Sequence, residues 1–69
     1  MKIISQFKSK DVLGNNTTVV IIKSDLKKLD LYNHLEKLHP NKDFYTDEVN
    51  QYGDGDKMYQ AVFLGSVKF

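Results

Sequence analysis

The hydrophobic pattern of the chain is strongest at Val19-Val20-Ile21-Ile22, where four β-branched residues follow one another. Such residues favour a strand because their stiff side chains suit a pleated surface. Side chains alternate between the two faces of a strand, so this strand is apolar on both faces and needs cover on both. The pattern therefore predicts a strand over residues 17–23 with one apolar face more than a single helix can cover.

A second strand is predicted before this one, over residues 2–8. Simple alternation places Ile3 and Phe7 on the same face, and we expect that face to point to the core. The loop at residues 11–16 contains Gly14, which tolerates the positive φ of a turn. Together the two strands are expected to form a hairpin.

A helix is predicted over residues 25–38, with Ser24 as its N-cap. It is expected to end before Pro40, since the residue preceding a proline is disfavoured in the α conformation. An alternative start is Asp30, with the preceding residues in an irregular turn. At about 100° per residue, one apolar stripe contains Leu31, Tyr32, Leu35 and Leu38.

Leu26 and Leu29 fall outside that stripe. A surface helix usually has an apolar stripe a little over 100° wide, and these two leucines make this one wider. The helix is therefore expected either to place its first turn under the hairpin or to contact something besides its own sheet.

The second half of the chain predicts two more strands. Residues 44–52 form the first, with a short helical turn over 46–51 as the alternative, and residues 52–56 form a glycine-rich turn. Residues 57–69 form the last strand, bulged or broken at Gly65 and again apolar on both faces.

The predicted fold is a single α+β domain over residues 1–69, with the order β-β-α-β-β and an antiparallel sheet that packs one helix on one face. A chain of 69 residues buries a small core. Small domains commonly gain stability from disulfides, a metal or a partner. Because the chain has no cysteine and two histidines, a partner is the most available of these.

The charge balance argues against a polyanionic partner. Ten lysines, and no arginine, face nine acidic residues, and the lysines are spread along the sequence. Nucleic-acid-binding domains usually concentrate Arg and Lys on one face. With no continuous apolar stretch of signal-peptide or membrane-span length, we expect a cytoplasmic protein without a membrane partner.

Lysine without arginine, together with many Asn, Asp, Tyr and Ile residues, is typical of AT-rich coding sequences. In composition the chain resembles the small proteins of phages and prophages in low-GC bacteria. The resemblance is compositional and involves no motif. It implies a small accessory or regulatory protein of a mobile element.

The candidate chemical sites have simpler explanations. Asp54-Gly55-Asp56 has the start of a calcium loop, but Gly65 occupies the position of the required glutamate, so the segment is predicted to be a turn. His34 lies in the polar sector of the helix and His39 at its end, where solvated or capping roles are expected. Two S-x-x-K matches, at Ser5 and Ser24, lack every other element of a serine acylase. We therefore predict no enzyme activity, cofactor or metal site.

The excess apolar surface predicts a protein interface, most simply with a second copy of the chain in a two-fold homodimer, or with a host protein. The residues expected to form it are Val20, Ile22, Leu26, Leu29, Tyr59 and Phe63. The alternative is a single-stranded nucleic-acid binder that stacks bases on exposed aromatic residues of the sheet: Tyr45, Tyr52, Tyr59, Phe63 and Phe69. An interface is favoured because Tyr is enriched at protein contacts and the RNP-type motif is missing.

Overall fold

The structure is a computed structural model that describes residues 1–51 and 57–69, with backbone only for residues 50 and 51. It contains four strands and one helix in the predicted α+β order, which are β1 (Lys2–Lys10), β2 (Asn16–Ser24), α1 (Lys28–Leu38), β3 (Phe44–Gln51) and β4 (Lys57–Leu64). All neighbouring strands are antiparallel, and their order in the sheet is β1-β2-β4-β3. The central strands are therefore β2 and β4, which are the two strands whose sequences are apolar on both faces.

The β1–β2 turn is held by one carboxylate. The Asp11 side chain accepts hydrogen bonds from the backbone N–H groups of Leu13 and Asn15, each at 2.9 Å. These bonds, with that from Asn15 the strongest, hold the pKa of Asp11 below its usual value. Gly14 takes the positive φ of 84° that the turn requires, as its position in the sequence predicts.

A β-bulge interrupts β1 near its start. Ile3 lies opposite Ile22 on β2 and Ser5 lies opposite Ile21, so Ile4 is an extra residue in the ladder. An extra residue reverses the alternation of the side chains that follow it.

The bulge places Phe7 on the face of the sheet opposite to Ile3. Ile3 packs against the core, whereas Phe7 pairs with Val19 and is 49% exposed. The predicted strand is confirmed and extends two residues further, to Lys10. The prediction that Phe7 points to the core is wrong, because that prediction assumed an uninterrupted alternation.

The helix begins at Lys28, between the two predicted starts at residue 25 and Asp30. Its N-cap is Lys27, which makes no side-chain capping bond. The hydroxyl of Ser24 instead accepts a hydrogen bond from the backbone N–H of Leu26 at 3.0 Å, which closes a turn before the helix. The predicted start at residue 25 is therefore wrong, while the predicted end at Leu38 is confirmed.

The core lies between the sheet and the helix. Leu31 and Leu35 of the helix are fully buried, and the rings of Tyr32, Phe44 and Phe63 stack in succession at 4.5 and 4.6 Å between centroids. This stack joins α1, β3 and β4. Stacked aromatic pairs add to the stability that burial alone provides.

Tyr59 connects the core to the segment before the helix. Its hydroxyl donates a 2.7 Å hydrogen bond to the carbonyl oxygen of Leu26. Burial, and to a smaller extent the charge of Glu48, raises the pKa of Tyr59 above its usual value. The hydroxyl therefore stays a donor well into the alkaline range.

The C-terminal residues provide further cover on the helix side. Gly65, at φ 85°, ends β4, so the predicted break is confirmed, but the strand does not resume to residue 69. Val67 is buried, and its N–H donates to the Thr18 hydroxyl at 3.2 Å. Gln6 accepts a bond from the Phe69 N–H at 3.1 Å. The chain end therefore packs across β1 and β2.

The remaining predictions concern residues 44–56. The strand alternative is confirmed by β3, and the helical-turn alternative over 46–51 is wrong. The predicted glycine-rich turn, with Tyr52 and the acidic Asp54-Gly55-Asp56, lies outside the described residues. Within the described part of the chain, no helix is long and apolar enough to cross a membrane.

Candidate interaction face

The two faces of the sheet differ in their cover. The face toward α1 and the C-terminal residues carries fully buried side chains: Val20, Ile22, Tyr59, Ala61 and Phe63. Four of these were predicted to form the uncovered face, and that assignment is wrong. Alternation groups residues by face, but it does not say which group the helix covers.

The other two residues of the predicted interface lie near the helix start. Leu26 is half-buried and packs against the core, whereas Leu29 is 70% exposed. Leu29 is therefore the one member of the predicted set that a partner of the folded chain reaches directly. Whether the protein pairs with a second copy stays a prediction.

Among the described residues, no helix lies over the opposite face, which we call the open face. Its position follows from the register, because residues paired across antiparallel strands point to the same side. It carries apolar side chains from all four strands: Phe7, Val19, Ile21, Tyr45, Met58, Val62 and Leu64.

Four of these residues form one line across the sheet. Phe7 pairs with Val19, Val19 with Val62, and Val62 with Tyr45. We call this line the central row. Its two ends, Phe7 and Tyr45, are 49% and 56% exposed, whereas Val19 between them is 8% exposed. Half-exposed aromatic residues at both edges of an apolar line are typical of a contact surface, where aromatic side chains are enriched.

A cavity of about 220 Å³ lies at one end of the open face. Its apolar lining comes from neighbouring strands, and two carboxylates contribute to it; the lining residues are Asp11, Thr17, Asp43, Phe44, Tyr45, Val62 and Leu64. The Asp11 oxygens already accept hydrogen bonds from the turn. The cavity therefore has an apolar lining with two carboxylates among its lining residues.

Charged side chains lie toward both ends of the open face, and Asp47 lies on this face between Tyr45 and the lysine end. Lys2 and Lys23 are paired across β1 and β2 at one end of the sheet. Asp11 and Asp43 line the cavity at the other end.

The two histidines considered as acid–base candidates lie in different surroundings. His34 is exposed on the helix. His39 closes the helix through its backbone N–H, which donates to the Leu35 carbonyl oxygen at 3.0 Å, and its ring lies against the rings of Phe63 and Phe69 at 5.8 and 4.7 Å. Among the described side chains, no group of three His, Cys, Asp or Glu residues is placed to hold a metal ion.

The structure also locates the aromatic residues considered for base stacking. Tyr59 and Phe63 are buried in the core, and Phe69 packs against His39. Tyr45 lies on the open face, and Tyr52 lies outside the described residues. Phe7, which the sequence analysis assigned to the core, is the second aromatic of the open face. Alternation along the sequence does not reveal that Phe7 lies on this face, because the bulge at Ile4 is a property of the strand pairing.

No protein-family model matches the chain, no curated protein matches it, and no solved structure matches it.

Proposed function

We propose that the protein is a non-catalytic binding protein that forms a two-fold homodimer through its open face. The observation that carries this proposal is the central row, an apolar line across all four strands on the side of the sheet that lacks the helix. Sheets of this kind pack face to face at about 10 Å, with their apolar side chains interdigitating.

The size of the open face suits a dimer. Four strands at about 4.8 Å spacing and eight residues at about 3.3 Å give roughly 500 Å² per copy. Two such faces approach the threshold of about 1,000 Å² for a specific interface. A small domain gains stability from such a contact, because the contact covers apolar side chains that the core of the domain cannot accommodate.

The nature of the side chains supports binding over catalysis. His39 packs against aromatic rings and the Asp11 carboxylate holds a turn. An accessory or regulatory role in a phage or other mobile element, in the cytoplasm, is proposed on composition and rests on the AT-rich type of residue usage.

Static light scattering at micromolar concentration tests the homodimer. The expected mass is twice the 8.0 kDa of the single chain, and it falls toward the single-chain value on dilution, as mass action requires. A mass that stays at the single-chain value at all concentrations contradicts the homodimer. Salt-sensitive binding of short single-stranded DNA or RNA by that monomer would favour the nucleic-acid alternative.

A further inference from the structure

We propose that the two copies pack with their strands antiparallel, about a two-fold axis that lies between the sheets and runs along the central row. This inference rests on the proposed homodimer and adds its geometry. A rotation about such an axis keeps each strand over the same strand of the second copy and exchanges the two ends of the sheet. Val62 then lies over Val62, and Phe7 over Phe7.

The first argument is charge complementarity. Lys2 lies four ladder positions from Phe7, because Ile4 is the extra residue of the bulge. Asp11, the first residue after β1, lies four residues from Phe7 in the other direction. Each is therefore about 13 Å from the axis. The rotation places Lys2 over Asp11 of the second copy, and the symmetry repeats this contact. Opposite charges in facing positions fix the register of an interface.

The second argument is the hairpin tip. Val12 is 100% exposed and Leu13 is 83% exposed, yet the Asp11 carboxylate holds the turn that presents them. Two apolar side chains on an ordered tip suit contact with another surface. The rotation carries the tip toward the opposite end of the second copy, where Met1 is 47% exposed.

The other aligned arrangement is less favourable. An axis that runs along the strands, between β2 and β4, leaves each end of the sheet facing the same end of the second copy. This axis places β1 over β3 of the second copy, so Asp11 would approach Asp43 of the second copy at the same end of the sheet. Like charges placed opposite each other in an interface weaken it.

One contact in the proposed arrangement opposes it. On β3, Asp47 and Asp43 lie two residues from Tyr45 in opposite directions, so the rotation brings Asp47 toward Asp43 of the second copy. The ammonium group of Lys28 lies 3.8 Å from the Asp47 carboxylate and offsets its charge. This contact gives the arrangement a distinctive expectation: Asp43→Lys strengthens the dimer.

Cysteine cross-linking tests the arrangement, because the natural chain has no cysteine. Gln60 and Leu64 lie two residues from Val62 in opposite directions on β4, so the rotation places Leu64 over Gln60 of the second copy. We expect a mixture of Gln60→Cys and Leu64→Cys chains to form a disulfide heterodimer on mild oxidation. Disulfides between packed sheets are known from immunoglobulin domains. Each variant alone is the control. It should cross-link at least tenfold more slowly, since the cysteines of the two copies then lie about 13 Å apart along the strands.

The competing axis predicts a different pair. It places Leu64 over Thr17 of the second copy, so efficient cross-linking of Leu64→Cys with Thr17→Cys chains, and none with Gln60→Cys, would overturn the inference while leaving the homodimer intact. Failure of both mixtures, with a dimer mass by light scattering, also overturns it. A single-chain mass under the same conditions contradicts the homodimer itself.

Charge variants give a second readout with opposite signs. In the proposed arrangement Lys2→Glu weakens dimerisation by about tenfold, because symmetry doubles the effect of a rim pair, and Asp43→Lys strengthens it. Dissociation constants from sedimentation equilibrium at low salt measure both changes, and a dissociation constant that Lys2→Glu leaves unchanged or lowers overturns the inference.

Discussion

Phe63→Ala is expected to leave most of the protein unfolded. The ring is fully buried, and it contacts the rings of Phe44, His39 and Phe69 at centroid distances of 4.6, 5.8 and 5.4 Å. Truncation of a buried phenylalanine costs about 3–5 kcal/mol. At roughly 0.05–0.15 kcal/mol per residue, the folding free energy of a chain this short is of similar size.

Urea denaturation followed by circular dichroism measures this loss. Leu29→Ala is the matched control, because Leu29 is 70% exposed on the helix and its truncation is expected to change the free energy of unfolding by less than about 0.5 kcal/mol. An equal, small effect of both substitutions would show that the Phe63 ring is not part of the core.

Val62→Glu is expected to separate the dimer while the fold persists. Val62 is half-buried in the middle of the open face, so a glutamate there remains accessible to water in the single chain. In the dimer, two copies of this charge meet near the axis without a partner. We expect a loss of about 2–4 kcal/mol of dimerisation free energy, which corresponds to roughly 30- to 1,000-fold in the dissociation constant.

Two measurements on each variant separate loss of the dimer from loss of the fold. Light scattering should give the single-chain mass for Val62→Glu, and circular dichroism should give the spectrum of the unaltered protein. Leu29→Glu carries the same charge change on the exposed helix and should leave the dimer mass unchanged. Dissociation by Leu29→Glu with no effect of Val62→Glu would move the interface to the helix.

Much of the fold is predictable because strong local patterns agree with it. The β-branched run of β2 and the proline after the helix each specify one element, and Gly65 marks the end of β4. The start of the helix is less predictable, because Ser24 is suited equally to an N-cap and to a turn. The hydroxyl of Ser24 closes the turn here, and the helix begins without a side-chain cap.

The location of the open face is the part that the sequence leaves undetermined. Residues of β2 and β4 alternate correctly between two faces, but both sets are apolar, so the helix has no obvious preference between them. Phe7 reaches the open face only because Ile4 bulges out of the ladder. The C-terminal residues add to the cover of the helix side, since Val67 packs there through a hydrogen bond to Thr18. These are contacts between distant parts of the chain, which local periodicity does not encode.

The most direct test of the open face as the binding surface is a concentration series of methyl NMR spectra. Between dilute and concentrated samples, the methyl resonances of Ile21, Val62 and Leu64 are expected to shift together, while those of Leu29 and Leu38 on the helix stay in place. Exchange between free and bound states changes the surroundings of groups at the contact most strongly. Shifts confined to the helix methyl groups, or no concentration dependence in any of them, would contradict the account.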